Sequence, residues 1–147
     1  MSIHLLDANL LIALAWPQHM HHAKAHEWFH VVGRKAWATC PLTQVAFVRI
    51  SSNTKIIADA VSPRDALEVL KKIVEVPGHH FWPDTIAPAD AKIFTSAAFV
   101  GHRQVTDAYL LALAQYRKGK LATFDNGIAE LIQLNRERGR YITHLES

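Results

Sequence analysis

Three aspartates stand where a chain puts carboxylates to use. Asp7 closes the short apolar run His4-Leu5-Leu6 and leads into Ala8-Asn9-Leu10-Leu11. Asp107 sits in Val105-Thr106-Asp107-Ala108-Tyr109-Leu110-Leu111-Ala112-Leu113-Ala114, at the start of a helix apolar nearly all round. Asp125 follows Lys120-Leu121-Ala122-Thr123-Phe124 and precedes the turn pair Asn126-Gly127. In open parallel sheets the ligand crevice lies at the carboxyl ends of the strands, so acids at such ends converge although far apart in sequence. Gathered carboxylates repel one another unless a cation or protons neutralise them. Oxygen-only ligands select a hard divalent ion, magnesium (Mg2+) or manganese (Mn2+), which keeps several waters and completes its shell with phosphate oxygens. Such an ion makes its bound water a better nucleophile and neutralises charge that develops on a phosphodiester. The residues themselves therefore point to metal-assisted phosphate chemistry.

Positioning these acids requires alternating strands and helices, and the periodicity supplies them. Ile3 to Leu6 reads as a strand, and Ala8 to Ala15 as a helix that Trp16-Pro17 ends. A second helix is expected from about His21 to Val32 with Gly33 as its stop, then a strand at Ala36 to Thr39. Pro41 suits the first turn of a helix that runs to about Ser52. Ser62-Pro63 opens another, with Ala66, Leu67, Leu70, Ile73 and Val74 as its buried stripe. His79 to Trp82 reads as a short strand, and Pro88-Ala89-Asp90 as the start of a helix through Phe94 and Ala98. The Asp107 helix follows with Thr106 as its N-cap, then the Leu121 strand, a short helix from Ala129 to Leu134 and a closing strand at Tyr141 to Leu145. The alternation predicts a layered α/β fold around a mostly parallel sheet.

At 147 residues, with half of them hydrophobic, the chain fits one domain, residues 1–147, able to bury a substantial core. A net charge of +3 mildly favours a polyanionic partner. Cys40 is the single cysteine, which excludes an intramolecular disulfide and a thiolate zinc cluster. No stretch is long and apolar enough for a membrane span, and Asp7 and Asn9 interrupt the first apolar run, so a soluble cytoplasmic protein is expected. His22 and His26 have the spacing of a metal pair, but no glutamate follows the first of them as a zincin site requires. Strongly apolar helices near both ends, with Trp16 and Trp28, suggest an interface and a two-fold dimer.

Five blocks, taken in order, resemble PIN-domain ribonucleases of the VapC toxin type: Leu5-Leu6-Asp7-Ala8-Asn9, Cys40-Pro41-Leu42-Thr43-Gln44 through Arg49, Phe81-Trp82-Pro83-Asp84, Val105 to Leu110, and Ala122-Thr123-Phe124-Asp125. The resemblance implies a three-layer α/β/α PIN-like fold, a magnesium-dependent endoribonuclease acting on RNA, a homodimer and a VapB-type antitoxin. It makes Asp7 and Asp107 the principal catalytic and metal-binding acids and Asp125 a further acid of the same cluster. Asn9 and Thr106 become supporting polar groups, and Arg49 a possible phosphate contact to RNA. The departure is Gln44, where PIN domains usually place a glutamate: an amide carries no charge and cannot act as a base. That departure allows an alternative, a nuclease-dead PIN module that binds RNA or a partner protein. Retention of three aspartates argues against it, since a binding-only surface gains nothing from negative charge beside RNA.

Overall fold

The computed structural model describes residues 2–90, 101–129 and 139–146. It begins with strand β1, His4–Leu6, and helix α1, Ala8–Ala15. Helix α2, His22–Val31, leads through a 3-10 turn at Gly33–Lys35 to β2, Trp37–Thr39. Helices α3, Pro41–Ser51, and α4, Pro63–Val74, precede β3, His79–Phe81. The second part holds α5, Val105–Tyr116, β4, Lys120–Thr123, the short α6, Asn126–Ala129, and β5, Ile142–His144. Pro88–Asp90 form a 3-10 turn, and the helix expected through Phe94 and Ala98 lies outside the described residues, as does most of the one expected to reach Leu134.

The five strands among the described residues are all parallel, in the order β3-β2-β1-β4-β5. The chain lays β2 and β3 to one side of β1, then returns to place β4 on its other side, so β1 and β4 flank the point where the winding reverses. Their carboxyl ends form the crevice expected in such sheets. Register brings Leu6 opposite Ala122, which sets Asp7 and Thr123 side by side one residue further on.

Helices cover both faces, and alternate side chains of the strands show it. Leu5, Ala38 and Leu121 join a core with Ala108, Leu111 and Leu113 of α5. Leu6, Trp37 and Ala122 join the opposite core with Leu10 and Leu11 of α1, Phe47 of α3 and Leu70 of α4. Every residue from Ala108 to Ala114 is buried, as the apolar run on all sides of α5 requires. The stripe of α4 is as expected at Ala66, Leu70, Ile73 and Val74, which are buried or pack on the core, but Val69 packs inward in place of Leu67, which is exposed. Connections are tight where backbone crowds backbone. Gly78 has φ +95° and a Cβ there would fall 2.3 Å from the Arg34 carbonyl oxygen, so only glycine fits this approach to β3. Cys40 is a free, buried thiol. Among the described residues no helix is long and apolar enough to cross a membrane.

Candidate active site

Asp7 is the pivot. It is extended at the N-cap of α1, and its Oδ1 accepts a 2.8 Å hydrogen bond from the Leu10 N–H, which satisfies one of the orphan donors of the helix start. Its Oδ2 accepts a 2.5 Å hydrogen bond from the Thr123 hydroxyl at the end of β4. The Asp7 N–H donates to the Ala122 carbonyl at 3.2 Å, so backbone and side chain both clamp the end of β1 to that of β4. Only 4% of Asp7 remains exposed.

Thr123 also serves the third acid, because its Oγ1 accepts the Asp125 N–H at 2.9 Å. Asp125 is exposed, and its Oδ1 accepts from the Gly127 N–H at 2.8 Å in a turn that starts α6. Asp107 arrives from a different element. The chain runs down α5 before rising through β4, so the N-terminus of α5 lies at the carboxyl edge of the sheet, and Asp107 occupies its first turn, half-buried.

The acids sense one another. Burial pushes the Asp7 carboxyl up to about 6, opposed by the hydrogen bonds from Thr123 and Leu10 and reinforced by the charge of Asp125. Burial, then Asp7 and Asp125, push Asp107 up to about 7. Two carboxyls that hold protons near neutrality, facing a third, form a hard oxygen donor set whose charged form a dication would favour. Among the described residues no three acidic, histidine or cysteine side chains are gathered tightly enough to hold an ion unaided. A magnesium ion does not need that, since one or two carboxylates and several waters suffice for it.

The other expected residues are exposed or hydrogen-bonded to groups other than the acids. Gln44 lies in the first turn of α3, just beyond the carboxyl end of β2; its amide nitrogen donates to Thr39 Oγ1 at 3.0 Å, and Thr39 Oγ1 in turn lies 2.7 Å from His79 Nε2. Thr106 is not the N-cap: Gln104 takes that position after a 3-10 turn at His102–Gln104, and Thr106 is exposed within the first turn of α5. Asn9 is exposed in the first turn of α1 and makes no hydrogen bond to the acids. Arg49 is exposed in the last turn of α3. The His22 and His26 pair is engaged elsewhere: His22 Nδ1 lies 2.7 Å from the Ala13 carbonyl and His26 Nε2 2.8 Å from that of Leu14, and since carbonyls only accept, both rings donate to the C-terminal end of α1. Thr123 is a further residue of the site, not among those expected from the sequence. Its signal was a hydroxyl two residues before an acid at a strand end.

A family model described as PIN domain matches residues 4–133. Ribonuclease VapC38 of Mycobacterium tuberculosis is 46% identical over 129 residues, which cover 88% of this chain and 89% of that protein. Ribonuclease VapC39 of the same organism is 42% identical over 126 residues, covering 86% and 91%. Among solved structures, FitAcB from Neisseria gonorrhoeae superposes with a TM-score of 0.64 at 15% identity over 97% of both chains. DNA-bound VapBC from Salmonella typhimurium gives 0.62 at 15% identity over 98% of both. At that identity the structural likeness is one of fold.

Proposed function

The chain belongs to the PIN-domain family, among relatives of the VapC ribonuclease type, and from that membership we propose that it is a magnesium-dependent endoribonuclease, the toxin of a VapBC-type toxin–antitoxin pair. The observation that carries this reading is the meeting of Asp7, Asp107 and Asp125, brought from three distant stretches of sequence to one sheet edge, with two of the carboxyls raised by burial and by one another. Asp7 and Asp107 would hold the magnesium ion, with Asp125 as the outer acid. When bound, the ion supplies an activated water and neutralises charge on the phosphodiester.

The protein's own contribution is orientation. Leu10 and Thr123 fix both oxygens of Asp7, the first turn of α5 presents Asp107, and the Thr123 hydroxyl sets the backbone of Asp125. Gln44 is uncharged at the neighbouring strand end, so the negative charge of the site comes from the three aspartates.

A homodimer and a VapB-type antitoxin complete the proposal. Exposed Met20, Val31, Val45 and Ile56 leave apolar surface to be covered. A groove of about 580 Å³ lined by Ile12, Trp16, Met20, Ile50, Ile56 and Ile57 suits an apolar segment of the antitoxin. Incubating the purified chain with total RNA tests the activity: magnesium should produce discrete fragments, EDTA should prevent them, and added antitoxin should suppress them. Intact RNA with magnesium present refutes the reading.

A further inference from the structure

The residue between Thr123 and Asp125 is aromatic, and it is not alone. The Phe124 ring stacks on that of His21, with centroids 4.6 Å apart and planes within 20°. His19 extends the row, its ring 5.6 Å from that of His21. Neither His21 nor Phe124 is buried; each is half-exposed, and Phe124 rests its inner side on the core of the α1 face. Both are held from behind. Thr123 and Asp125 on either side of Phe124 are fixed by hydrogen bonds, while the His21 N–H donates to His19 Nδ1 at 3.0 Å and its carbonyl accepts the Ala25 N–H at the start of α2.

We propose that His21 and Phe124 form a stacking shelf that holds one nucleobase of an RNA strand next to the bond that the acids cleave, a role that rests on the ribonuclease reading. A cluster of aspartates repels the phosphates of its own substrate wherever the ion does not offset it, so a contact that needs no phosphate adds affinity close to the acids. Stacking of a base on a rigid aromatic face is such a contact, and every base offers a π-face to it. Because Phe124 is joined directly to Asp125, a base on the shelf places its own phosphate within reach of the acidic edge. The shelf thus sets which phosphodiester enters the site, and contributes to affinity with little preference among bases.

The test uses a short RNA that the wild-type chain cleaves, together with copies made abasic at single positions flanking the cleaved bond. In the wild type, removal of the one base that occupies the shelf should raise KM about tenfold, the scale of a single base-aromatic stack. His21→Ala and Phe124→Ala should raise KM for the intact RNA similarly, and the abasic substitution should then add nothing further. His21→Tyr should restore the wild-type pattern. Since Phe124 touches the core, His21→Ala decides the matter if Phe124→Ala does not fold. Wild-type KM in His21→Ala, or losses that simply multiply with the abasic substitution, would overturn the shelf and leave the ribonuclease reading standing. A wild-type chain that cleaves no RNA would overturn both.

Discussion

The Thr123 hydroxyl donates to the Asp7 carboxylate and accepts from the Asp125 N–H, so one side chain ties together two acids that are 118 positions apart in the chain (125 − 7). This hydrogen bond favours the charged form of Asp7 against its burial. Thr123→Val keeps the shape and removes the hydroxyl. A hydrogen bond to a charged group is worth about 1.5–3 kcal/mol, so the Asp7 carboxyl should rise by about one unit or more above its present value of about 6. The titration of the Asp7 carboxyl in the metal-free protein, followed by NMR, should move up accordingly, and Thr123→Ser should move it back. An unshifted titration would show that this bond does not govern the carboxyl.

The same burial makes the metal-free protein sensitive to pH in a definite direction. Asp7 and Asp107 titrate at about 6 and about 7 in the fold, above the ordinary 3.8, so between those limits the folded state binds more protons than the unfolded chain. Stability contributed by these acids is therefore complete at the acid end and is lost as pH rises from about 4 to about 7. Asp7 alone accounts for on the order of 3 kcal/mol of this change. Burial lowers His4, His19 and His79, which act in the opposite sense, so the effect is read as a difference. In EDTA, Asp7→Asn should gain on the wild type in thermal denaturation as pH rises through this window, and magnesium should narrow the gap. A constant difference at all pH values would contradict the raised carboxyl.

Most of the frame was legible in the sequence because it rests on local signals. Apolar runs, Pro41 and Pro63 at helix starts and the break at Trp16-Pro17 placed β1, β2, α1, α3 and the start of α4 within about a residue of their observed limits. What escaped depends on partners distant in sequence. Nothing near Thr123 says that its hydroxyl meets Asp7, since the two come together only through the β1–β4 register. The spacing of His22 and His26 shows that they share a helix face, but not that this face closes the end of α1. Thr106 has the chemistry of an N-cap, yet the 3-10 turn before it starts α5 two residues sooner. Leu67 and Val69 lie at opposite edges of the α4 stripe, and only packing chose between them.

Gln44 offers a test of the charge of the site. Its amide donates to Thr39, so a glutamate there would lose that donor and instead accept from the Thr39 hydroxyl, adding a fourth carboxylate at the neighbouring strand end. More negative charge attracts a dication more strongly. Gln44→Glu should lower the magnesium concentration needed for half-maximal cleavage. Superimposable titrations for the two forms would place Gln44 outside the metal's reach.

The central claim is that Asp7 and Asp107 hold the metal that cleaves RNA. The direct measurement is the rate of magnesium-dependent cleavage by the wild type, Asp7→Asn and Asp107→Asn, with each variant's fold checked by circular dichroism. Asparagine preserves shape and removes charge, so each variant should fold and lose about 10²-fold or more in rate, the scale seen when one electrostatic contact to the reacting centre is removed. Folded variants that cleave at the wild-type rate, with EDTA equally without effect, would contradict the account.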